Sequence, residues 1–538
     1  MLRASCPLPG SLVRSVSGTQ TKHAKYNWCV WIKRFCQDND RVNELEKSIL
    51  SQNEFSPREH PELDIESSSA VWVQDKSPIE LTEMVSLPKD ELLDYLVNYN
   101  EDPFAGPSRS GLLKTFEECC RSNYCWAFDV AKFLIERHIQ KEDVWNHLIQ
   151  GVQDSEAKIR EHISLLNLLT ENVLVVGNVL ALARFLWKIL EQDGIKAEFH
   201  EYEDCLFKTA KVLWENRGSC DEKMERLVDA SLNTILGNIL ISYIYMLSYS
   251  DNNGIPDKYK QFFELNLHME GYEKRLALCV LAGYFNFFCL RDHDWCTEYL
   301  QPILESEDKE DFSAAWEGVV FFSRHLNKDV ADVVAPIYLK AVTHIDWLSG
   351  EARNSFIDLY LVLMIYVIEN PCQKYIPEFY KYASDADRKE FVHLIEHRLR
   401  NAEKDFRISW WNSWLKQYLE NRLQNKPVPF KDAEYQIIVN WLPEVPEFFD
   451  ELVNIVCNHD VPSDVDNMFL YRMNENKLVE SYPHEVIKLL TVMLDGGTVF
   501  QYYTDDLAEI YKSADGLSEQ EKRDFQEACL KRNIKIYS

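Results

Sequence analysis

The run His393-Leu394-Ile395-Glu396-His397 places two imidazoles and a carboxylate at positions i, i+3 and i+4. On a helix these positions share one face, so the two histidines could hold Zn²⁺ while Glu396 acts as general base. A third ligand is required, and Glu475 or Glu480 lies downstream at a workable separation. The flanking Arg388, Lys389, Glu390, Arg398 and Arg400 are what a solvated helix displays, so a polar helix face is the simpler reading. Peptidases carrying H-x-x-E-H use an α/β scaffold with glycine-bearing strands, which this region lacks.

A second constellation is aromatic. Phe406, Trp410, Trp414 and Tyr418 recur every four residues, with Trp411 beside them and Arg422 continuing the stripe. Such a ladder can stack bases or clamp a ligand. Packing against a neighbouring helix is the favoured reading, because rings at this spacing bury a large area, and the Trp411 and Trp414 indole N–H groups would then need acceptors. The helix also offers a partner surface.

The segment Gly106-Pro107-Ser108-Arg109-Ser110-Gly111 precedes an apolar helix from Leu112, so Ser108 or Ser110 is expected to cap it. It is neither a P-loop nor a nucleophile elbow. Cys119, Cys120 and Cys125 lack a nearby histidine and the spacing of a zinc knuckle. The acidic residues of 305–311 and the pair Asp464 and Asp466 lack the alternation of a calcium loop. Rossmann, Walker A and kinase signatures are absent, which argues against most nucleotide-dependent enzymes and predicts no cofactor.

The elements that must position these residues are helices. The 538 residues include only 17 glycines, none between Gly350 and Gly496, which argues against glycine-loop and sheet folds. Apolar residues recur at helical spacing, as in Leu276, Val280, Tyr284 and Phe287, then Leu359, Leu363, Tyr366 and Val367. From about 86 to 442 this reads as consecutive helical hairpins, a degenerate solenoid-like array. The stretch 172–192, apolar on more than one face, is predicted to be a helix with neighbours on both sides. Residues 230–250 are free of charge over nearly the length of a bilayer span, but Ser231, Asn233, Thr234, Asn238 and Ser242 dilute them, so a buried helix is expected.

Charge narrows the partners. Against 58 Lys+Arg stand 87 Asp+Glu, a net charge of -29, so the average surface repels nucleic acid and anionic lipid. No nucleic acid or membrane partner is expected. The 14 cysteines are scattered through apolar runs without a CxxC pair and read as buried thiols of a reducing, cytoplasmic compartment. Residues 1–37 contain no acid but include Arg3, Arg14, Lys22 and Lys25, the composition of a transit peptide; an irregular or misassigned start over 1–25 is the preferred expectation. Pro57, Pro61, Pro78 and the Ser67-Ser68-Ser69 run mark a Pro-rich loop closing an N-terminal region, 26–86. The Asn-Lys-Pro-Val-Pro-Phe run at 425–430, with Pro443 and Pro446, predicts a boundary between the array, 87–424, and a C-terminal helical subdomain, 425–538.

Three segments together carry a resemblance. They are Phe55-Ser56-Pro57-Arg58-Glu59-His60-Pro61 with Ser77-Pro78-Ile79; Pro103-Phe104-Ala105-Gly106-Pro107-Ser108 with Gly111-Leu112; and the run from Trp414 to Pro429 with Glu434, Trp441 and Phe448. They resemble the helical C-terminal region of bacterial sirtuin-like antiphage defence proteins, which ends in the domain of unknown function 4020. The resemblance covers about residue 26 onward. It implies a sensing or assembly role beside a separate sirtuin-like domain that hydrolyses NAD. Residues before 26 leave no room for that domain, and no glycine-rich NAD loop occurs, so no catalytic residue carries over.

The matched residues also have readings of their own. Arg58, Glu59 and His60 would pin the long loop, and Arg422 would pair with Glu434 across the Pro427–Pro429 turn. The expectation is therefore an all-α, non-catalytic sensor or scaffold that binds protein partners, a defence effector or phage protein among them. The alternatives are a zinc-dependent hydrolase using His393, Glu396 and His397, or a truncated gene model of a sirtuin-like NADase defence protein.

Overall fold

The computed structural model describes residues 18–35, 39–52, 54–56, 76–101, 106–218, 224–250, 253–323, 328–459, 464–500 and 504–536. Among them every regular element is a helix, and the fold is all-α. The chain divides into two compact units, 1–75 and 76–538. The division at 75 lies within the proline-bearing stretch 52–78, and residues 425–430 lie inside the second unit.

The first unit contains a helical hairpin, α1 (Gly18–Phe35) and α2 (Asp40–Leu50). Helix α1 covers 18–25 of the stretch expected to be an irregular or misassigned start, and residues 1–17 lie outside the described residues. Asn39 caps α2 by accepting the Val42 N–H. Lys33 Nζ meets Glu46 Oε2 at 2.5 Å across the pair.

In the second unit the principal helices are α3 (Arg109–Ser122), α4 (Glu142–Gln153), α5 (Ile159–Glu171), α6 (Val179–Leu190), α7 (Ile195–Glu215), α8 (Ile235–Tyr249), α9 (Gly271–Gly283), α10 (Lys309–Phe322), α11 (Gly350–Tyr366), α12 (Asp385–Asn401), α13 (Asp432–Val439), α14 (Phe449–Cys457), α15 (Pro483–Gly496) and α16 (Glu519–Lys531). Successive contacts run α3 to α4, α4 to α6, α6 to α8, α8 to α9, α9 to α10, α10 to α11, α11 to α12 and α12 to α13, and again from α14 through α15 to α16. Each helix thus buries its apolar stripe against helices close to it in sequence. The buried apolar side chains form one contiguous cluster from Ile79 to Ile534.

Helix starts follow local chemistry. Ser108 accepts the Gly111 N–H at 2.9 Å and begins α3. Asp308 accepts from Glu310 and Asp311 to begin α10, and Ser384 with Asp387 forms a capping box on α12.

Two expected helices are broken. The stretch 172–192 divides into Val173–Val176 and α6, because Gly177 takes φ 72° and ends the first while Asn178 caps the second. Helix α6 does sit between neighbours, packing against α4, α5, α7 and α8. The stretch 230–250 is divided between Leu227–Asn233 and α8, bent by 78°, with Thr234 capping α8. Among the described residues no single helix is long and apolar enough to cross a membrane.

Small residues set the closest helix approach. Gly318 of α10 lies against the Cys279 carbonyl of α9, and Gly151 of α4 against the Glu117 carbonyl of α3, so that a Cβ at either would collide with backbone. Side chains can yield to a clash, but helix backbone cannot without moving the whole helix. We expect Gly318→Ala to destabilise the chain by about 1–3 kcal/mol, the ~1 kcal/mol gained in helix propensity being outweighed by overpacking. A urea midpoint equal to or above that of the parent would show the two helices to be farther apart.

Candidate functional site

The H-x-x-E-H residues lie on α12 but do not converge. His393 and His397 are exposed, whereas Glu396 is buried. Glu396 Oε1 receives Arg400 Nη2 at 2.6 Å and lies 3.7 Å from Arg472 Nη1. The same two arginines hold Glu444, with Arg400 Nε at 3.0 Å and Arg472 Nη1 at 3.2 Å from its Oε1, while Asp466 meets Arg472 Nη2 at 3.0 Å. Burial pushes the Glu396 carboxyl up, and the two guanidinium groups oppose that shift.

His393 Nδ1 stands 3.6 Å from Glu396 Oε2, and the His397 backbone carbonyl accepts Asn401 Nδ2 at 2.8 Å. Glu475 and Glu480 are exposed elsewhere on the surface. Among the described residues no group of three or more His, Cys, Asp or Glu side chains is placed to hold a metal. A general base must face its substrate, and Glu396 faces arginines instead.

The aromatic stripe lies on a continuous helix over 404–423, whose middle turn, Trp411–Leu415, is a π-helix. Phe406 at its start is half exposed, but Trp410, Trp411, Trp414, Tyr418 and Arg422 are buried. The wider π turn carries two adjacent burdens: Trp411 stacks on Phe448 with centroids 4.1 Å apart, and the Trp414 carbonyl accepts the Cys372 thiol at 3.4 Å. The acceptors anticipated for the Trp411 and Trp414 indole N–H groups are not among their neighbours. Trp410, Trp411, Trp414 and Tyr418 thus sit in the core, and Phe406 is the ring of the stripe that reaches solvent.

Arg422 closes this helix and is fully buried. The pairing expected from the sequence is present: Arg422 Nη2 lies 3.2 Å from both oxygens of Glu434, which is itself buried, and Nε reaches Oε2 at 3.3 Å. Its remaining donors go to the Lys426 and Val428 carbonyls at 3.0 and 2.8 Å and to the Pro429 carbonyl at 3.3 Å. Tyr380, on the helix Tyr375–Tyr382, donates to Glu434 Oε2 at 3.1 Å and shares a 2.7 Å hydrogen bond with the Tyr418 hydroxyl. The guanidinium also lies over the Tyr380 ring, 4.2 Å from its centroid. Burial raises the Glu434 carboxyl, opposed chiefly by the Arg422 charge, and keeps both phenols protonated. Arg58 and His60 lie outside the described residues.

Sequence reasoning passed over a cleft of about 540 Å³ beside α5 and α7. Asn167 and Thr170 of α5, the segment Asn172–Val175, and Thr209 of α7 line it. Thr209 Oγ1 donates to Asn167 Oδ1 at 3.0 Å, and Asn167 Nδ2 donates to Cys205 Sγ at 2.6 Å. Leu174 on its wall is 80% exposed. The lining combines neutral amides and hydroxyls with one acidic residue, Glu171, and one basic residue, Lys208, and among the described residues it holds no histidine or cysteine, so it suits contact with a polar group. Nothing in the sequence marks these residues, since side chains brought together from two helices carry no spacing signature.

Two measurements follow. Arg422→Met leaves the buried Glu434 carboxylate without its countercharge and three loop carbonyls without their donor, and should cost about 3–5 kcal/mol in denaturant unfolding; a loss below about 1 kcal/mol would mean that water reaches the site. His397→Ala, at an exposed position, should change stability by less than about 0.5 kcal/mol. Elemental analysis of the parent should then find no stoichiometric zinc; one zinc per chain, lost in the variant, would reinstate the hydrolase reading.

No family model, curated protein or solved structure matches this chain. The functional reading therefore rests on its own residues.

Proposed function

We propose that this chain is a non-catalytic scaffold or sensor that binds other proteins, and that it serves bacterial antiphage defence in the cytoplasm beside a separate effector. The observation that carries the first part is the serial packing of α3 through α13, in which each helix is buried by its sequence neighbours. In helical repeat arrays such neighbour-to-neighbour packing leaves loops and outer helix faces in long rows for partners, and this chain would use the same kind of surface. The candidate catalytic carboxylate, Glu396, is neutralised by Arg400 and Arg472, in keeping with a role outside acid–base chemistry. The defence assignment rests on the resemblance carried by residues 55–61 with 77–79, 103–112, and 414–429 with Glu434, Trp441 and Phe448. Protein partners bind through the array, and a partner preferring one curvature shifts its population.

A phage challenge tests the proposal. Bacteria carrying this gene with its genomic neighbours should give at least tenfold fewer plaques than bacteria carrying the neighbours alone, and the purified chain should leave NAD intact. Equal plaque counts would remove the defence role, and NAD turnover by the isolated polypeptide would remove the non-catalytic one.

A further inference from the structure

Helix α1 differs in sign from the rest of the protein. Residues 1–37 carry six cations and no acid in a chain of net charge -29, and α1 holds four of those cations, Lys22, Lys25, Lys33 and Arg34. Its two sides have separate tasks. At about 100° per residue, Lys22, Tyr26 and Lys33 fall together on one side. That side meets α2 and the segment after it: Lys33 pairs with Glu46, Lys22 Nζ reaches Gln52 Oε1 at 3.1 Å, and Tyr26 packs against Phe55 with centroids 5.9 Å apart.

Trp28, Trp31 and Phe35 fall on the opposite side, within about 60° of one another. They form a continuous row, Trp28 edge-on to Trp31 and Trp31 edge-on to Phe35, each at 5.4 Å. The row is open to solvent: Trp28 is 44% and Phe35 74% exposed. Lys25, exposed, flanks it on one side of the helix, where a long basic side chain can reach over an apolar face toward phosphate.

We propose that this aromatic face of α1 lies on an anionic lipid surface, with Trp28, Trp31 and Phe35 entering the headgroup boundary and Lys25 beside them meeting lipid phosphate. Tryptophan is favoured at that boundary because its ring is apolar and its N–H polar. An amphipathic helix with aromatic residues on one face and lysine and arginine beside them binds in the plane of the interface without spanning it. Charge complementarity picks this occupant: the acid-free segment is attracted to anionic headgroups, while the acidic remainder is held off the surface and leaves the contact to α1. The site is independent of the scaffold reading, which concerns residues 76–538.

The experiment is co-sedimentation of the full chain with vesicles of equal parts phosphatidylcholine and phosphatidylglycerol, and with vesicles of phosphatidylcholine alone. Binding is expected to the anionic vesicles, at least tenfold weaker to the neutral ones, and weakened by added salt. The triple variant Trp28→Ala, Trp31→Ala, Phe35→Ala should lose at least tenfold in binding, and Lys25→Glu, at an exposed position, should weaken it several-fold with an unchanged circular-dichroism spectrum. Absence of binding to anionic vesicles, or equal binding by the triple variant, overturns the proposal. So does a parent that self-associates through this face, as seen by a triple variant of lower mass in light scattering, without sedimenting with lipid.

Discussion

The C-terminal half of this molecule is organised around one buried cation. A guanidinium without water must have all its donors satisfied and its charge matched, or it costs several kcal/mol. Arg422 meets that demand by drawing Glu434, three carbonyls of 426–429 and the Tyr380 ring around itself. Its requirement fixes where the Pro-rich turn goes, where α13 starts and how the helix Tyr375–Tyr382 lies against the aromatic stripe. A loop whose prolines prevent it from joining a helix is held in place by its carbonyls, the groups that prolines leave available.

A second ionic cluster lies on α12. Glu396 and Glu444 share Arg400 and Arg472, with Asp466 at the rim. Glu396 and Glu444 are buried, Arg472 is buried with them and Arg400 reaches solvent, so neither buried carboxylate is left without a countercharge. The two clusters together hold five segments, the helix Tyr375–Tyr382, the turn 426–429, α13, the turn bearing Glu444 and the segment 466–475, against α12 and the stripe helix by directional contacts, where apolar packing alone would leave their registers free to slide.

The helical nature of the chain was legible in the sequence because glycine is rare and apolar residues return every three or four positions, and the Ser108 cap and the Arg422–Glu434 pair were legible because their partners lie close in the chain. The π turn at Trp411–Leu415 was not, since a single extra residue in a helix leaves no mark in periodicity and is chosen by Phe448 and Cys372 packing from elsewhere. The break at Gly177 was hidden by apolar residues on both sides of it. The burial of Glu396 was masked by its neighbours: Arg398 and Arg400 suggest a solvated face, and only Arg472, far along the chain, makes that face interior. The exposed row on α1 escaped notice because its basic residues are spread around the helix, and the row emerges only once α2 is seen to occupy the other side.

The serial packing of α3 through α13 also bears on how the protein acquires its structure. Helices that find their partners a few tens of residues away have low contact order, and the loops that must close before each docking step are short. During synthesis each helix leaves the ribosome with the one that covers it soon to follow, so apolar faces are exposed for seconds rather than for the whole time of translation. Assembly can then proceed from the N-terminal end of the stack as a growing edge, with aggregation restricted to whichever helix is momentarily last.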